Sequence, residues 1–216
     1  LTSAPIVITV MRATPTLGTL ALSTKTFGDS AFALTGPSAT YDSASVAGTW
    51  SYSSGQTSVA TIEDSTATIT GGGTSVITAT FSPTDSVNFN SANTASTLTV
   101  EKATPTFSWS NVLATYSDAD FTIVSPAVAT TAATGTWSYS SADIAVIAIS
   151  STKFDVGIAG SSVVTATFTP SNTTNYVSGE TITITVTVRR ANQAALTISS
   201  TSGTYGTDLT LTTTGG

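Results

Sequence analysis

An internal repeat constrains the fold of this chain more than any other feature of its sequence. The heptad GTWSYSS occupies Gly48–Ser54 and returns unchanged at Gly135–Ser141, 87 residues later. The same shift carries Thr78–Pro83 onto Thr165–Pro170, where TATFSP becomes TATFTP. Copies separated by this many residues indicate that one domain-sized unit occurs twice.

The ends of the chain extend this pattern. The stretch TVMRA at residues 9–13 is similar to TVEKA at 99–103 and to TVRRA at 187–191. Each stretch marks the last strand of one repeat and the start of the next. We therefore predict four parts: the last strand of a preceding repeat at 1–12, whole repeats at 13–102 and 103–190, and the first strands of a following repeat at 191–216. On this interpretation the chain is a segment of a longer protein.

The composition favours strands over helices. The chain is 40% hydrophobic but only 8% charged, whereas average domains carry about 25% charged residues. The hydroxyl groups of its many Ser and Thr residues must therefore cover the surface. Thr and Val suit a pleated sheet, and the helix formers Lys, Glu and Gln are scarce. These features predict an all-β fold.

Alternation along two segments predicts which side chains form the core. Side chains two apart on a strand share a face, so the Trp and Tyr of each heptad point to one side. Ile77, Ala79 and Phe81 share a face in the same way, and so do Val164, Ala166 and Phe168. The aromatic residues that we predict to be structural core are Trp50, Tyr52, Phe81, Trp137, Tyr139 and Phe168.

Turn residues divide the second repeat into about seven strands. We predict strands at 104–110, 119–124, 135–140, 144–149, 152–158, 162–169 and 180–188. Seven short strands separated by Gly, Ser, Asp and Pro over about 90 residues are typical of an immunoglobulin-like sandwich of two sheets. The predicted fold is therefore a pair of tandem immunoglobulin-like β-sandwiches.

Several short motifs carry a resemblance to a known family. They are Phe27-Gly28-Asp29, Trp50–Ser54, Ser58–Ile62, Ile69–Thr74, Ile77–Thr80 and Asn88-Phe89-Asn90. Together they resemble the bacterial Ig-like tandem repeats of large surface proteins and adhesins. The resemblance implies a secreted β-sandwich array without catalytic residues. The second repeat departs from it at Lys153–Val156 and lacks the triple glycine of residues 71–73.

The residue inventory excludes most catalytic chemistry. The chain has no His and no Cys, which excludes Ser–His and Cys–His nucleophiles as well as imidazole and thiolate metal ligands. We therefore expect no enzyme and no cofactor. Asp118 and Asp120 are the alternative, as oxygen ligands for Ca²⁺, but Ca²⁺ takes six to eight oxygens and no EF-hand loop is present.

The overall charge and hydropathy bound the partners. A net charge of −6 argues against nucleic acid, which requires clustered basic residues. No run approaches the roughly 18 apolar residues of a membrane helix, so we expect no membrane span.

Four of the six basic residues lie at the repeat boundaries. Lys102 follows the last strand of the first repeat, and Arg189 and Arg190 follow that of the second. Asp29 and Asp118 lie in early turns that a sandwich places at the same end as the exit of the last strand. We predict junction ion pairs of Asp29 with Lys102 and of Asp118 with Arg189 or Arg190, and the alternative is that these charges only keep exposed edges soluble.

Three functions are compatible with this sequence. The first is an extracellular, cell-surface stalk or spacer that contacts neighbouring repeats and displays a tip for a surface glycan or protein elsewhere. The second is a fibre of identical chains, in which an end strand such as residues 5–12 completes a neighbour's sheet. The third is a glycan-binding module that uses the loop aromatics Phe89 and Tyr176.

Overall fold

The computed structural model describes residues 8–130, 133–194, 197–198, 203–206 and 213–214. Within these ranges the chain forms strands and turns and no helix, so the predicted all-β class is confirmed. The chain divides into two compact units. The first consists of Leu1–Thr106, Thr130–Thr136 and Thr169–Glu180, and the second of Phe107–Ala129, Trp137–Phe168 and Thr181–Gly216.

The first repeat folds into three small sheets. Its strands are β1 (Thr16–Leu17), β2 (Lys25–Thr26), β3 (Phe32–Ala33), β4 (Ala39–Tyr41), β5 (Ala44–Ser45), β6 (Gly48–Ser54), β7 (Ala60–Glu63), β8 (Thr66–Ile69), β9 (Gly73–Pro83) and β10 (Ala92–Glu101). The sheet orders are β2-β10-β9-β6, β3-β8-β7 and β1-β4-β5. The last strand, β10, runs antiparallel to β9 and parallel to β2.

The second repeat has the same order of strands in its two larger sheets. Its strands are β11 (Phe107–Ser108), β12 (Val112–Thr115), β13 (Phe121–Thr122), β14 (Ala127–Val128), β15 (Gly135–Ser141), β16 (Ile147–Ser150), β17 (Lys153–Val156), β18 (Gly160–Pro170) and β19 (Thr181–Arg189). They form sheets β12-β19-β18-β15, β13-β17-β16 and β11-β14, and β20 (Thr197–Ile198) pairs with β21 (Thr213–Thr214). Each strand of the first repeat's larger sheets therefore has a counterpart here.

The first hydrophobic core lies between two sheets of the first repeat. Ile77 and Ala79 of β9 are fully buried, and the intervening Thr78 is half-buried. They share one cluster with Ala60 of β7 and Ala67 of β8, which belong to the other sheet. This packing of two sheets face to face is an immunoglobulin-like β-sandwich.

The second core repeats this arrangement. Val164 and Ala166 of β18 are fully buried. Val164 packs in one cluster with Ile147 of β16 and Phe154 of β17. The chain is thus built of tandem immunoglobulin-like β-sandwiches, as the sequence predicts.

The strand pattern at the start of the second repeat differs from the predicted one. The interval predicted as a single strand at 104–110 contains only β11, and a separate strand, β12, pairs with β19 instead. The chain changes sheets here: β11 pairs with β14, and the Asn111 side chain accepts a hydrogen bond from the Thr185 N–H at 2.8 Å. A side-chain acceptor takes the place of a strand partner at this crossing, which periodicity does not reveal.

The heptad lies on the edge strands β6 and β15. Trp50, Tyr52, Trp137 and Tyr139 are half-buried and flank the cores, whereas Phe81 and Phe168 are buried. The ring of Trp50 lies 5.1 Å from that of Phe81, and the ring of Trp137 lies 4.9 Å from that of Phe168. The Trp ring of each heptad therefore covers a buried Phe of the neighbouring strand.

The last serine of each heptad is half-buried and pairs with a buried serine of the neighbouring strand. Ser54 and Ser75 share a hydroxyl hydrogen bond of 2.8 Å, and the hydroxyl of Ser75 also accepts the Gln56 N–H. Ser141 and Ser162 make the equivalent contact at 2.9 Å. Because an unpaired buried hydroxyl destabilises a fold, this pairing explains why the heptad ends in the same residue twice.

Candidate repeat junction

The turn after β2 places an aromatic ring beside the exit of the last strand. The Asp29 carboxylate accepts the Thr26 N–H at 2.9 Å, and Gly28 adopts a φ of 95° that favours glycine. The Phe27 N–H then donates to the Glu101 carbonyl at 2.8 Å. Phe27 therefore lies where the first repeat ends.

The triple glycine forms a crowded turn before β9. A Cβ at Gly71 would lie 2.5 Å from the Ser58 carbonyl oxygen, and a Cβ at Gly72 would lie 2.5 Å from the Thr174 carbonyl oxygen. Side chains cannot occupy such positions without a shift of the backbone. Gly72 is therefore required because residues 172–177, which we call the docking loop, approach it closely.

The docking loop is shaped by its own hydrogen bonds. The Asn172 side-chain oxygen accepts the N–H groups of Thr174 and Asn175, each at 3.1 Å. The Asn172 carbonyl accepts the Tyr176 N–H at 3.2 Å. This Asx-type turn fixes the conformation of the docking loop through contacts within the loop itself.

The linker between the repeats is hydrogen-bonded to the docking loop in both directions. The Ala103 N–H donates to the Asn175 carbonyl at 2.9 Å, and the Ala103 carbonyl accepts the Val177 N–H at 3.0 Å. Ala103 is buried. The linker is therefore a structured segment and not a free tether.

Two side-chain contacts join the docking loop to the end of the first repeat. The Asn175 amide oxygen accepts the Gly72 N–H at 2.9 Å in a buried setting. The ring of Tyr176 meets that of Phe27 edge to face at 5.4 Å and 85°. Edge-to-face rings contribute about 0.5–1.5 kcal/mol beyond the area they bury. All of these residues belong to the first compact unit.

The first repeat contains the same loop at residues 85–90. The Asp85 carboxylate accepts the N–H groups of Val87 and Asn88, and the Ala13 N–H donates to the Asn88 carbonyl at 2.8 Å. The Asn88 side-chain amide also donates to Asp85 at 2.7 Å, and this hydrogen bond lowers the pKa of Asp85. Asn88 is exposed and Phe89 half-buried, whereas Asn175 and Tyr176 are 8% and 5% exposed.

The sequence contains residues that mark this junction, and they are not the residues of the predicted ion pairs. Asn-Phe and Asn-Tyr recur at the repeat shift, and the triple glycine occurs in the first repeat and not in the second. Only the three-dimensional structure shows that these residues contact each other across the junction.

The residues predicted to form ion pairs lie near the predicted ends but make other contacts. Asp29 accepts the Thr26 N–H, and Asp118 accepts the Thr115 N–H at 2.7 Å in the equivalent turn. Lys102, Arg189 and Arg190 are exposed, and among the described residues no ion pair links them to either carboxylate. A hydrogen bond within a four-residue turn does not require a long side chain to be ordered. Each Asp therefore loses less side-chain entropy in its own turn than an ion pair with an exposed Lys or Arg would cost.

The structure also describes the predicted Ca²⁺ ligand Asp120 and the predicted glycan-binding aromatics. Asp120 accepts the Val156 N–H at 3.1 Å, and no group of three or more acidic side chains that could hold a metal ion occurs in the described ranges. Tyr176 is packed in the junction, so its ring does not present an open face to a sugar. Phe89 packs edge to face on Tyr41 at 5.7 Å.

Comparisons with known proteins give weak structural likenesses. No protein-family model matches the chain, and no curated protein matches it. Among solved structures, the surface layer protein SbsC, domains 1–6, is similar with 16% identity and a TM-score of 0.32, over 79% of this chain and 25% of that one. Human protocadherin-24 EC1-2 is 12% identical with a TM-score of 0.34, covering 84% of this chain and 100% of that one.

A third solved structure gives a likeness of about the same strength. Chicken VE-cadherin EC1-2 is 11% identical with a TM-score of 0.32, covering 85% of this chain and 100% of that one. Likenesses this low carry no information on binding or activity. This chain spans a quarter of the surface-layer structure's length. No helix within the described ranges is long and apolar enough to cross a membrane.

Proposed function

We propose that this chain is a structural, non-catalytic segment of an extracellular protein, in which tandem β-sandwich repeats act as a stalk or spacer. The supporting observation is the filled junction, in which a buried Asn175–Gly72 hydrogen bond and the Tyr176–Phe27 ring pair hold the docking loop against the preceding repeat. A stalk needs such contacts because a flexible linker would let the repeats swing.

The linker supports the same proposal. A flexible linker of five residues would be rich in Gly and Ser, whereas residues 100–104 read VEKAT. Ala103 in this linker makes two backbone hydrogen bonds to the docking loop. We infer that a linker ordered in this way limits bending between consecutive repeats.

The test measures how narrowly the separation of the two repeats is distributed. The chain has no Cys, so the exposed heptad positions Ser51 and Ser138 can be changed to Cys and carry spin labels. Pulsed electron paramagnetic resonance on the full chain then gives the width of the distance distribution. A stalk requires a narrow distribution, and the double change Asn175→Ala with Tyr176→Ala should broaden it.

A matched control is available within the chain. Asn88→Ala with Phe89→Ala changes the same loop in the first repeat, where the Asn88 side chain bonds to Asp85 and the Phe89 ring packs on Tyr41. Both partners belong to the first repeat itself, so the width should not change. A wild-type distribution as broad as that of the Asn175/Tyr176 variant would refute the stalk proposal.

A fibre held by strand complementation is a second candidate, favoured by one observation. Ile8, Val10 and Met11 are more than 80% exposed, and residues 8–12 form no strand in the structure. Exposed apolar segments of this kind can add a strand to a neighbour's sheet edge. Regular filaments under the electron microscope that Ile8→Asp abolishes would establish this function over the simple stalk.

A further inference from the structure

A groove of about 610 Å³ runs along one side of the second repeat. One wall is residues 108–112, up to the first residue of β12, and the other is residues 121–127, from β13 to β14. Its described lining residues all belong to the second compact unit. Asn111 bonds to Thr185 at the middle of β19, so the groove lies beside the sandwich and not at an end of the repeat. Ligand sites usually measure roughly 300–1,000 Å³.

Side-chain hydrogen bonds fix the two walls of this groove to the body of the repeat. The Trp109 indole N–H of one wall donates to the Val124 carbonyl of the other at 2.7 Å. The Tyr139 hydroxyl donates to the Ser125 hydroxyl at 2.8 Å, and its ring lies 5.8 Å from that of Trp109. The groove is therefore formed in advance, which lowers the entropy lost when a ligand binds.

Aromatic rings line the inside of the groove. Phe154 is almost fully buried, and the ring of Phe121 packs edge to face on it at 5.4 Å. Phe121 and Trp109 are half-buried and line the groove together with Phe154. The face of an aromatic ring carries partial negative charge, so this surface attracts the C–H groups of a ligand.

The rim of the groove is polar and uncharged. Ser110, Asn111 and Thr122 are exposed and line it, and the described lining residues include no Asp, Glu, Lys or Arg. Amide and hydroxyl side chains both donate and accept hydrogen bonds. A charged ligand would find no opposite charge here, so the rim matches a neutral ligand that carries several hydroxyl groups.

The first repeat fills the same region with its own side chains. In the segment that corresponds to the one around Trp109, Leu20 is 1% exposed and belongs to the core. Gly36, which the repeat shift carries onto Ser125, is covered by the Trp50 ring, since a Cβ at Gly36 would collide with it. A sandwich of this type therefore does not need the groove, which is a feature of the second repeat.

We propose that this groove binds a neutral saccharide, with the C–H face of one sugar ring on the Trp109 and Phe121 rings and its hydroxyl groups bonded to the rim. A saccharide combines an apolar face with a polar edge, which is the combination that the groove presents. A wholly apolar ligand would cover the amide and hydroxyl groups of the rim without replacing their hydrogen bonds to water, which is unfavourable. The inference does not depend on the stalk function.

Nuclear magnetic resonance on the ¹⁵N-labelled full chain tests this proposal, because three Trp residues give three indole N–H signals. The probes are cellobiose, maltose and N,N′-diacetylchitobiose, each at about 10 mM, ten times a Kd of about 1 mM for an open groove. At least one disaccharide should shift the Trp109 indole signal and the amide signals of Asn111 and Thr122. The indole signals of Trp50 and Trp137 should stay in place. Cyclohexanol, a ring with a single hydroxyl group, should shift the groove signals much less at the same concentration.

Two Lys variants form a matched pair. Val124 lines the groove and is 79% exposed, whereas Ile144 is 74% exposed and is not among the described lining residues. Val124→Lys should abolish the sugar-induced shifts, and Ile144→Lys should leave them unchanged. Trp109→Leu introduces the residue type found at Leu20 and should also abolish them; the Lys pair decides the test if this variant does not fold.

Four results would each overturn the inference. They are no groove shift with any of the three disaccharides, equal shifts at all three indole signals, wild-type binding by Val124→Lys, and groove shifts with cyclohexanol as large as those with the disaccharides. None of them would alter the distance distribution that tests the stalk.

Discussion

Replacing Asn175 by Ala should destabilise the chain by about 1–3 kcal/mol, the cost of leaving a buried donor without a partner. Asn175 is 8% exposed, and its oxygen accepts the Gly72 N–H at 2.9 Å. Alanine offers no acceptor, and the Gly72 N–H lies in a buried setting. For domains of this size, 1 kcal/mol corresponds to roughly 4–8 °C in Tm.

Asn88→Ala is the matched control for this prediction. Asn88 occupies the equivalent loop position but is exposed, and its side chain bonds only to Asp85 among the described residues. Surface changes of this kind usually alter stability by no more than about 0.5 kcal/mol. The difference between the two variants therefore isolates the buried contact from the intrinsic effect of removing an amide from this loop.

Urea unfolding of both variants, followed by tryptophan fluorescence, measures the difference in free energy. Hydrogen exchange at the Gly72 amide provides a local measurement, since loss of its acceptor should accelerate exchange in Asn175→Ala and not in Asn88→Ala. If both variants unfold at the same urea concentration, and Gly72 exchanges at the wild-type rate in each, the Asn175–Gly72 bond does not stabilise the junction and the reasoning fails.

Three other changes test separate parts of the structure. Gly72→Ala should cost about 1–3 kcal/mol through overpacking, whereas Gly28→Ala, with open space but a φ of 95°, should cost about 1 kcal/mol through strain alone; thermal unfolding compares them. Trp137→Ala should cost about 3 kcal/mol, and a Tm within a degree of wild type would contradict its packing role. The hydrogen bond from Asn88 lowers the pKa of Asp85 below its ordinary value of 3.8. The stability that the charged Asp85 contributes is therefore complete above pH 3.8 and is lost as the pH falls through the lowered pKa. Asn88→Ala should raise the pKa of Asp85, which a carboxylate titration measures.

The sequence predicted the fold where one physical rule dominated. Alternation along residues 77–81 placed Ile77 and Phe81 on the buried face, because a strand between two layers must separate apolar from polar side chains. The rule failed at 104–115, where the chain crosses between sheets and the Asn111 side chain substitutes for a strand partner. No periodic pattern records such a crossing.

The junction was less accessible to sequence reasoning. Charge placement suggested ion pairs, but Asp29 and Asp118 cap their own turns, a local contact that four residues are sufficient to make. The contact that does form joins Asn175 to a glycine 103 positions earlier. A glycine has no side chain to indicate its partner, so only the close approach of the Thr174 carbonyl reveals why position 72 must be small.

The heptad and the junction differ in where the residues that they contact lie. A Cβ at Gly48 would collide with the Ser82 carbonyl and the Phe81 ring, and Ser54 shares its hydroxyl bond with Ser75. These partners lie inside the same repeat as the heptad, so a copied repeat keeps the heptad unchanged. Gly72 matches the docking loop of the next repeat instead, and its counterpart Ala159 can change when that neighbour changes. The heptad is therefore identical between the copies, whereas position 72, which contacts the docking loop of the next repeat, is Gly in one copy and Ala in the other.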